Sequence, residues 1–301
     1  MASNGNLNSK MLDEAKIALL TNKASEIRRS IIESLIEAKS GHTAGPLDMA
    51  DIFTYLYFHK LKHEPKKPDW QYRDRLVLSN GHICPVLYAT MAHAGYFPVA
   101  ELNTLRKFGS RLQGHPHREY LPGLETTSGP LGCGLSQAIG MAMADRIDNG
   151  KTSGKQIYCL MGDGELDEGN VWEAAMLAGK ERLQNLTVII DRNNIQIDGF
   201  TEDVMPLNPL VDKWRAFNWH VQEINGHDFR EIDRAVCDAQ SVFDKPSVII
   251  AHTIPSKGIP EFERKFEWHG KPPLTPDEIA TALKATRTWG GRVKSPHHNV
   301  E

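Results

Sequence analysis

GDGELDEGN at 162–170, taken with DRNN at 191–194, decides how this chain folds. The apolar run QIYCLM at 156–161 halts at Gly162-Asp163-Gly164, and a second run, LTVII at 186–190, halts at Asp191-Arg192-Asn193-Asn194. Between them Trp172, Ala175, Met176, Ala178 and Gly179 recur at helical steps, so the unit reads strand–helix–strand. Such a crossover makes neighbouring parallel strands, whose carboxyl ends open onto the usual ligand crevice of an open α/β sheet. Asp163 and Asn193 are therefore expected side by side on that edge.

A carboxylate and an amide oxygen at one edge suit Mg2+, which takes one or two protein groups and completes its octahedron with phosphates and water. Gly162 and Gly164 remove side chains where a diphosphate must approach backbone amides. GDG alone is a common tight turn. Followed on the next strand by NN, it is a far more specific signal.

Outward from this unit, strands and helices alternate, which implies a mostly parallel sheet with helices on both faces. Apolar positions from Ile17 to Ala38 recur at three- and four-residue steps, predicting one or two amphipathic helices over 12–39. SGHTAGP at 40–46 breaks that pattern, and Asp48 is expected to open the next apolar helix. DRLVLSNGH at 74–82 reads as a short strand entering an Asn-Gly turn, with a helix from Pro85 to Ala94 after it. The stretch 108–134 is long and rich in Gly and Pro, the mark of a functional loop. Residues 135–149 read as a small-residue helix, 219–224 and 247–253 as strands, and TPDE at 275–278 as a capping box that starts a last helix. One domain is expected over 11–290, with a flexible start at 1–10 and a tail at 291–301.

The chain has 301 residues, 40% of them hydrophobic, and a net charge of −3, as expected of a globular cytoplasmic protein. No Lys/Arg block points to nucleic acid and no apolar run approaches a membrane span. Cys84, Cys133, Cys159 and Cys237 are scattered, without a CxxC pair, and read as buried free thiols.

Among 13 histidines, four sit in Gly-punctuated loops: His42 in SGHTAGP, His82 in SNGH, His115 in QGHPH and His269 in WHGKPPL. Singly, each reads as a loop-stabilising residue. Four of them beside a diphosphate–metal motif point to function, because imidazole titrates near neutral pH and can donate to or shuttle a proton for an oxyanion. His220, His227 and His252 flank strands and read as structural.

GDG followed by NN thirty residues on resembles the thiamine-diphosphate motif, and KSGH at 39–42, DRLVLSNGH at 74–82, GHP at 114–116, TSGPLGCG at 127–134 and HG at 269–270 resemble transketolase blocks. The likeness runs from about residue 20 to 285 but spans only the first half of a normal transketolase. It implies that Asp163, Asn193 and the Ile195 carbonyl hold Mg2+, that Gly162, Gly164, His82 and His269 meet the cofactor diphosphate, and that Gly129 and Leu131 contact its aminopyrimidine. It also implies that His115 holds the hydroxymethyl end of a ketose, that His42 and His269 face the acceptor carbonyl, and that Glu168 lies at a subunit interface. His117, where the family usually has an acidic residue, departs from the pattern. So does HTAGPLD at 42–48, where HPGAPLG is commoner.

The glutamate that activates the aminopyrimidine belongs to the pyrimidine-binding half of transketolases. The resemblance therefore implies the diphosphate-binding subunit of a split transketolase, working on sugar phosphates in an α2β2 assembly with a separate pyrimidine-domain chain. Another thiamine enzyme, such as a 2-oxo-acid dehydrogenase component or a deoxyxylulose-phosphate synthase, and a specialised transketolase for an unusual ketose remain alternatives. An NAD-binding Rossmann protein would want GxGxxG after its first strand, and the chain has none.

Overall fold

The computed structural model describes residues 12–150 and 154–287. The expectations for 1–10 and 291–301 lie outside the described residues. Five parallel strands form one sheet in the order β1-β2-β3-β7-β6: β1 Arg75–Leu78, β2 Ile157–Gly162, β3 Leu186–Arg192, β6 His220–Asn225 and β7 Ser247–His252. A two-stranded antiparallel pair, β4 Ile195–Gln196 and β5 Gly199–Phe200, follows β3. The helices are α1 Glu14–Ala38, α2 Ala44–Asp48, α3 Ala50–Tyr55, α4 Cys84–Ala94, α5 Cys133–Asn149, α6 Gly169–Glu181, α7 Thr201–Val204, α8 Leu210–Ala216, α9 Phe229–Gln240 and α10 Pro276–Ala285.

The central strands are apolar on both faces, as a sheet covered on two sides requires. Tyr158 and Leu160 of β2 point into one core with Ile27, Ile31, Phe53 and Val236 of α1, α3 and α9. Ile157, Cys159 and Met161 point into the other, with Leu135, Ala138, Val171 and Trp214 of α5, α6 and α8. Capping fixes the helix starts. Asp13 accepts the Lys16 amide at 2.7 Å, and Asp228 the Arg230 amide at 2.8 Å. The Thr275–Glu278 capping box predicted from TPDE is present at α10.

Two expectations change. Asp48 does not open a helix: the chain turns helical at Ala44, and Asp48 ends α2 with its carboxylate buried under the sheet edge. Its partner there is a side chain from β3's end, so a tertiary contact overrides the N-cap preference of aspartate. The cysteines are free, but only Cys84 and Cys159 are buried; Cys133 and Cys237 are partly exposed.

One buried ionic cluster braces the floor of the carboxyl edge. Arg28 of α1 donates to both Asp51 oxygens, at 2.9 and 2.6 Å, and to the Leu47 carbonyl at 2.9 Å. His227, after β6, lies 2.8 Å from Asp51 and accepts the Ile254 amide at 2.9 Å. Burial alone would raise the Asp51 carboxyl, but Arg28 and His227 outweigh it and hold it far below the usual range.

Candidate functional site

At the carboxyl edge, Gly162 of β2 lies opposite Asp191 of β3, so the chain leaves the two strands at adjacent points. The next residues, Asp163 and Asn193, are both buried there. Asp163 Oδ1 accepts the Gly164 amide at 2.8 Å, while Oδ2 accepts the Asn194 amide at 2.8 Å and Arg192 Nη1 at 3.1 Å. Burial raises this carboxyl to about 6, with Arg192 and the two amides pulling the other way, so it is ionised at neutral pH. Asn193 Nδ2 donates to Asp48 Oδ2 at 2.9 Å and to Asp191 Oδ2 at 3.1 Å. Those bonds fix the amide so that Oδ1, which takes the Ile195 amide at 3.1 Å, keeps a lone pair. Burial pushes the Asp48 and Asp191 carboxyls up, with Asp191 adding to the rise at Asp48 and Asp163 to the rise at Asp191.

The loops from the other strands close over this edge. Gly81 lets the His82 turn press against the 127–134 loop: a Cβ there would come within 2.6 Å of Ser128 Cβ and 3.3 Å of the Gly129 nitrogen. Thr43 Oγ1 donates to the Lys271 carbonyl at 2.6 Å, drawing the His42 and His269 loops together. The rings of His42 and His82 lie 4.7 Å apart, those of His42 and His269 5.6 Å, and those of His82 and His269 5.4 Å.

One cavity of about 410 Å³ brings together His42, His82, His115 and His269 with Gly162, Asp163, Gly164, Asn193 and Ile195. Gly129 and Leu131 line it too. Glu168 is not part of it: the residue is exposed at the start of α6, and its side chain caps nothing. The histidines also differ from the sequence expectation of groups titrating near neutrality. Burial, then repulsion from His269, Arg106 and His115, lowers His42 to about 4, and burial lowers His269 to about 4. His82 and His115 are lowered too, burial again being the main cause. All four are neutral imidazoles at pH 7, each offering one N–H and one lone pair.

Sequence reasoning passed over several residues. Asn80, in SNGH, lines the cavity with a buried Oδ1 that has no partner in the chain. Glu165 lies inside GDGELDEG, and its buried carboxylate accepts the Ser79 hydroxyl, the Gly132 amide at 2.6 Å and the Gly162 amide at 3.2 Å. It thereby joins the ends of β1 and β2 to the 127–134 loop. Burial raises it to about 7. Proximity to GDG was its only sequence signal. Nothing local marked Asp48 as the residue that holds the Asn193 amide, since the two are 145 positions apart.

The edge fits a metal–diphosphate group. Buried polar atoms without partners, Asn80 Oδ1, His42 Nδ1 and His269 Nδ1, belong to residues lining one cavity, and Gly129 leaves open space where a Cβ would stand. Among the described residues no three His, Cys, Asp or Glu side chains form a metal cage. What the edge offers instead is the Asp163 carboxylate and the Asn193 amide oxygen, hard oxygens of the kind that suits Mg2+.

A parallel sheet carrying this edge defines a diphosphate-binding α/β domain. The family described as "Transketolase, thiamine diphosphate binding domain" matches residues 20–296, and the chain belongs to it. It is 45% identical over 250 residues to the 6-deoxy-6-sulfo-D-fructose transketolase subunit SqwG of Clostridium sp. (strain MSTE9), covering 83% of this chain and 90% of that one. It is 40% identical over 254 residues to an apulose-4-phosphate transketolase subunit of Phocaeicola vulgatus, covering 84% and 89%. The crystal structure of transketolase from Campylobacter jejuni superposes with a TM-score of 0.82 at 38% identity, over 89% of this chain but only 42% of that longer one.

Proposed function

We propose that this chain is the diphosphate-binding subunit of a two-chain transketolase, which moves a two-carbon ketol unit from a ketose to an aldose together with a separate pyrimidine-domain subunit. The observation that carries the reading is the single cavity where Asp163 and Asn193, from adjacent strand ends, meet four histidines. Its relatives of matching length are named as transketolase subunits, while the Campylobacter transketolase is more than twice as long as the part matched.

In this reading Asp163, Asn193 and the Ile195 carbonyl hold Mg2+. The amides of Gly162 and Gly164, with His82 and His269, hold the diphosphate, and Gly129 and Leu131 back the aminopyrimidine. Thiamine diphosphate supplies the electron sink that two-carbon transfer requires. His115 donates to the hydroxymethyl end of the ketose. His42 and His269, neutral and with unpartnered Nδ1 atoms, hydrogen-bond the acceptor carbonyl and take or return its proton. The partner contributes the activating glutamate, and Glu168 faces a second copy in an α2β2 enzyme. Sugar phosphates, in reactions of the pentose phosphate type, or a sulfosugar are the substrate class, and the site of action is the cytoplasm.

Mixing tests this reading. Purified alone with Mg2+ and thiamine diphosphate the chain should give little ketol transfer from a panel of ketoses, and adding the pyrimidine-domain partner should restore it. Full turnover by the isolated chain would refute the two-chain reading. Decarboxylation of a 2-oxo acid by the pair, without ketol transfer, would move it to another thiamine enzyme.

A further inference from the structure

Helix α2 has only five residues, yet contacts that do not involve Asp48 hold it in place. Just before it, Thr43 Oγ1 donates to the Lys271 carbonyl at 2.6 Å. A Cβ on Gly45 would come within 2.6 Å of Ile83 Cγ2, so the helix backbone packs tightly on the turn that carries His82. The Leu47 carbonyl accepts Arg28 Nε at 2.9 Å, while both terminal nitrogens of that guanidinium are engaged by Asp51. The helix is thus tied to the His269 loop, to the His82 turn and to α1.

Asp48 therefore reaches the end of β3 from a fixed frame. The side chain is 0% exposed, and among the described residues its Oδ1 has no hydrogen-bond partner. A buried polar atom left unpaired costs stability, so this carboxyl is a poor brace for the fold as such. Its Oδ2 takes Asn193 Nδ2 at 2.9 Å, shorter than the 3.1 Å from Nδ2 to Asp191 Oδ2. Each hydrogen of Nδ2 thus has its own carboxylate, and Oδ1 is left on the other edge of the amide with the Ile195 amide and a spare lone pair. The two edges of a carboxamide are alike in shape and opposite in charge. Turned over, the group would offer N–H hydrogens where a cation needs oxygen, so the acceptors around Nδ2, rather than packing, set which edge is presented.

We propose that Asp48 is a positioning residue for the metal: carried by α2, it fixes the Asn193 amide so that Oδ1 is presented to Mg2+. The inference rests on the transketolase reading above and goes beyond it by assigning a role to a residue outside the ligand set. It also ties the metal edge to the short helix that begins two residues after His42. Groups that orient a metal's ligands through hydrogen bonds are typically worth about ten- to a hundredfold in metal affinity.

The test uses the enzyme assembled with its pyrimidine-domain partner. Calorimetric titration of thiamine diphosphate at a series of Mg2+ concentrations gives the Mg2+ concentration that half-saturates cofactor binding. In Asp48→Ala that concentration should rise about ten- to a hundredfold, and kcat should recover when Mg2+ is raised to saturation. Asp48→Asn keeps an acceptor oxygen for Nδ2 and should half-saturate close to wild type, which separates orientation from charge. Asp48→Leu fills the space without an acceptor; it should behave as Asp48→Ala does, and it stands in if alanine unfolds the chain. Wild-type half-saturation in Asp48→Ala or Asp48→Leu, with thermal stability alone lowered, would overturn the positioning role. Equal rises in Asp48→Asn and Asp48→Ala would overturn it as well and leave only an effect of charge. Cofactor binding by the unsubstituted assembly that is absent, or indifferent to Mg2+, would instead overturn the functional reading before any substitution is made.

Discussion

Replacing Glu165 by glutamine should raise the stability of the apo chain, relative to wild type, as pH climbs through neutrality, and the size of the effect follows from its surroundings. The carboxylate is 3% exposed and, among the described residues, lies in no ion pair; its partners are one hydroxyl and two backbone amides. Burial raises its pKa from 4.5 to about 7. Between those values the folded chain keeps a proton that the unfolded chain has released, so stability falls as pH rises through this window. At about 1.4 kcal/mol per tenfold, the rise is worth on the order of 3 kcal/mol, complete above the folded pKa. Glutamine has the shape of the protonated acid and does not titrate. Glutamine offers one acceptor oxygen where the carboxyl offers two, which sets a constant offset, so in urea unfolding the stability of Glu165→Gln relative to wild type should rise by roughly 3 kcal/mol between about pH 5 and about pH 8. Parallel stability–pH curves for the two proteins would refute the reasoning.

Other outcomes are as definite. His115→Ala should lower kcat/KM for the ketose by about 10²–10⁴-fold with cofactor affinity retained; a change below about threefold would make His115 a loop residue. Asp51→Ala leaves Arg28 buried without its counter-ion and should cost about 3–5 kcal/mol in denaturant unfolding. A loss under about 1 kcal/mol would contradict the buried ion-pair cluster. His42 and His269, lowered to about 4, stay neutral in the folded chain while they protonate in the unfolded one. Stability should therefore drop as pH falls from about 6.5 towards about 4, and a His42→Gln, His269→Gln double variant should show a shallower drop by the same unfolding assay.

The strand–helix–strand unit at 156–192 was legible because its signals are local. Two apolar runs end in glycine or asparagine turns, and the helix between them is periodic. The TPDE cap and the strands at 220 and 247 were readable for the same reason. The pairing of Gly162 with Asp191 follows from the parallel crossover alone, so the sheet edge that carries Asp163 and Asn193 could be located without a structure. Asp48 could not, since its N-cap preference is local and its Asn193 contact is not. The neutral state of the histidines was equally hidden. The sequence shows His42, His82 and His269 beside glycines; only their packing, with ring centres 4.7–5.6 Å apart and out of water, lowers their pKa values.

The most direct measurement is a calorimetric titration of thiamine diphosphate into the chain assembled with its pyrimidine-domain partner, with Mg2+ and then with a chelator, for wild type and Asp163→Ala. The account predicts binding that requires Mg2+ and is lost in the variant, with circular dichroism unchanged. Cofactor binding of equal affinity in the chelated sample, or in Asp163→Ala with Mg2+ present, would contradict it.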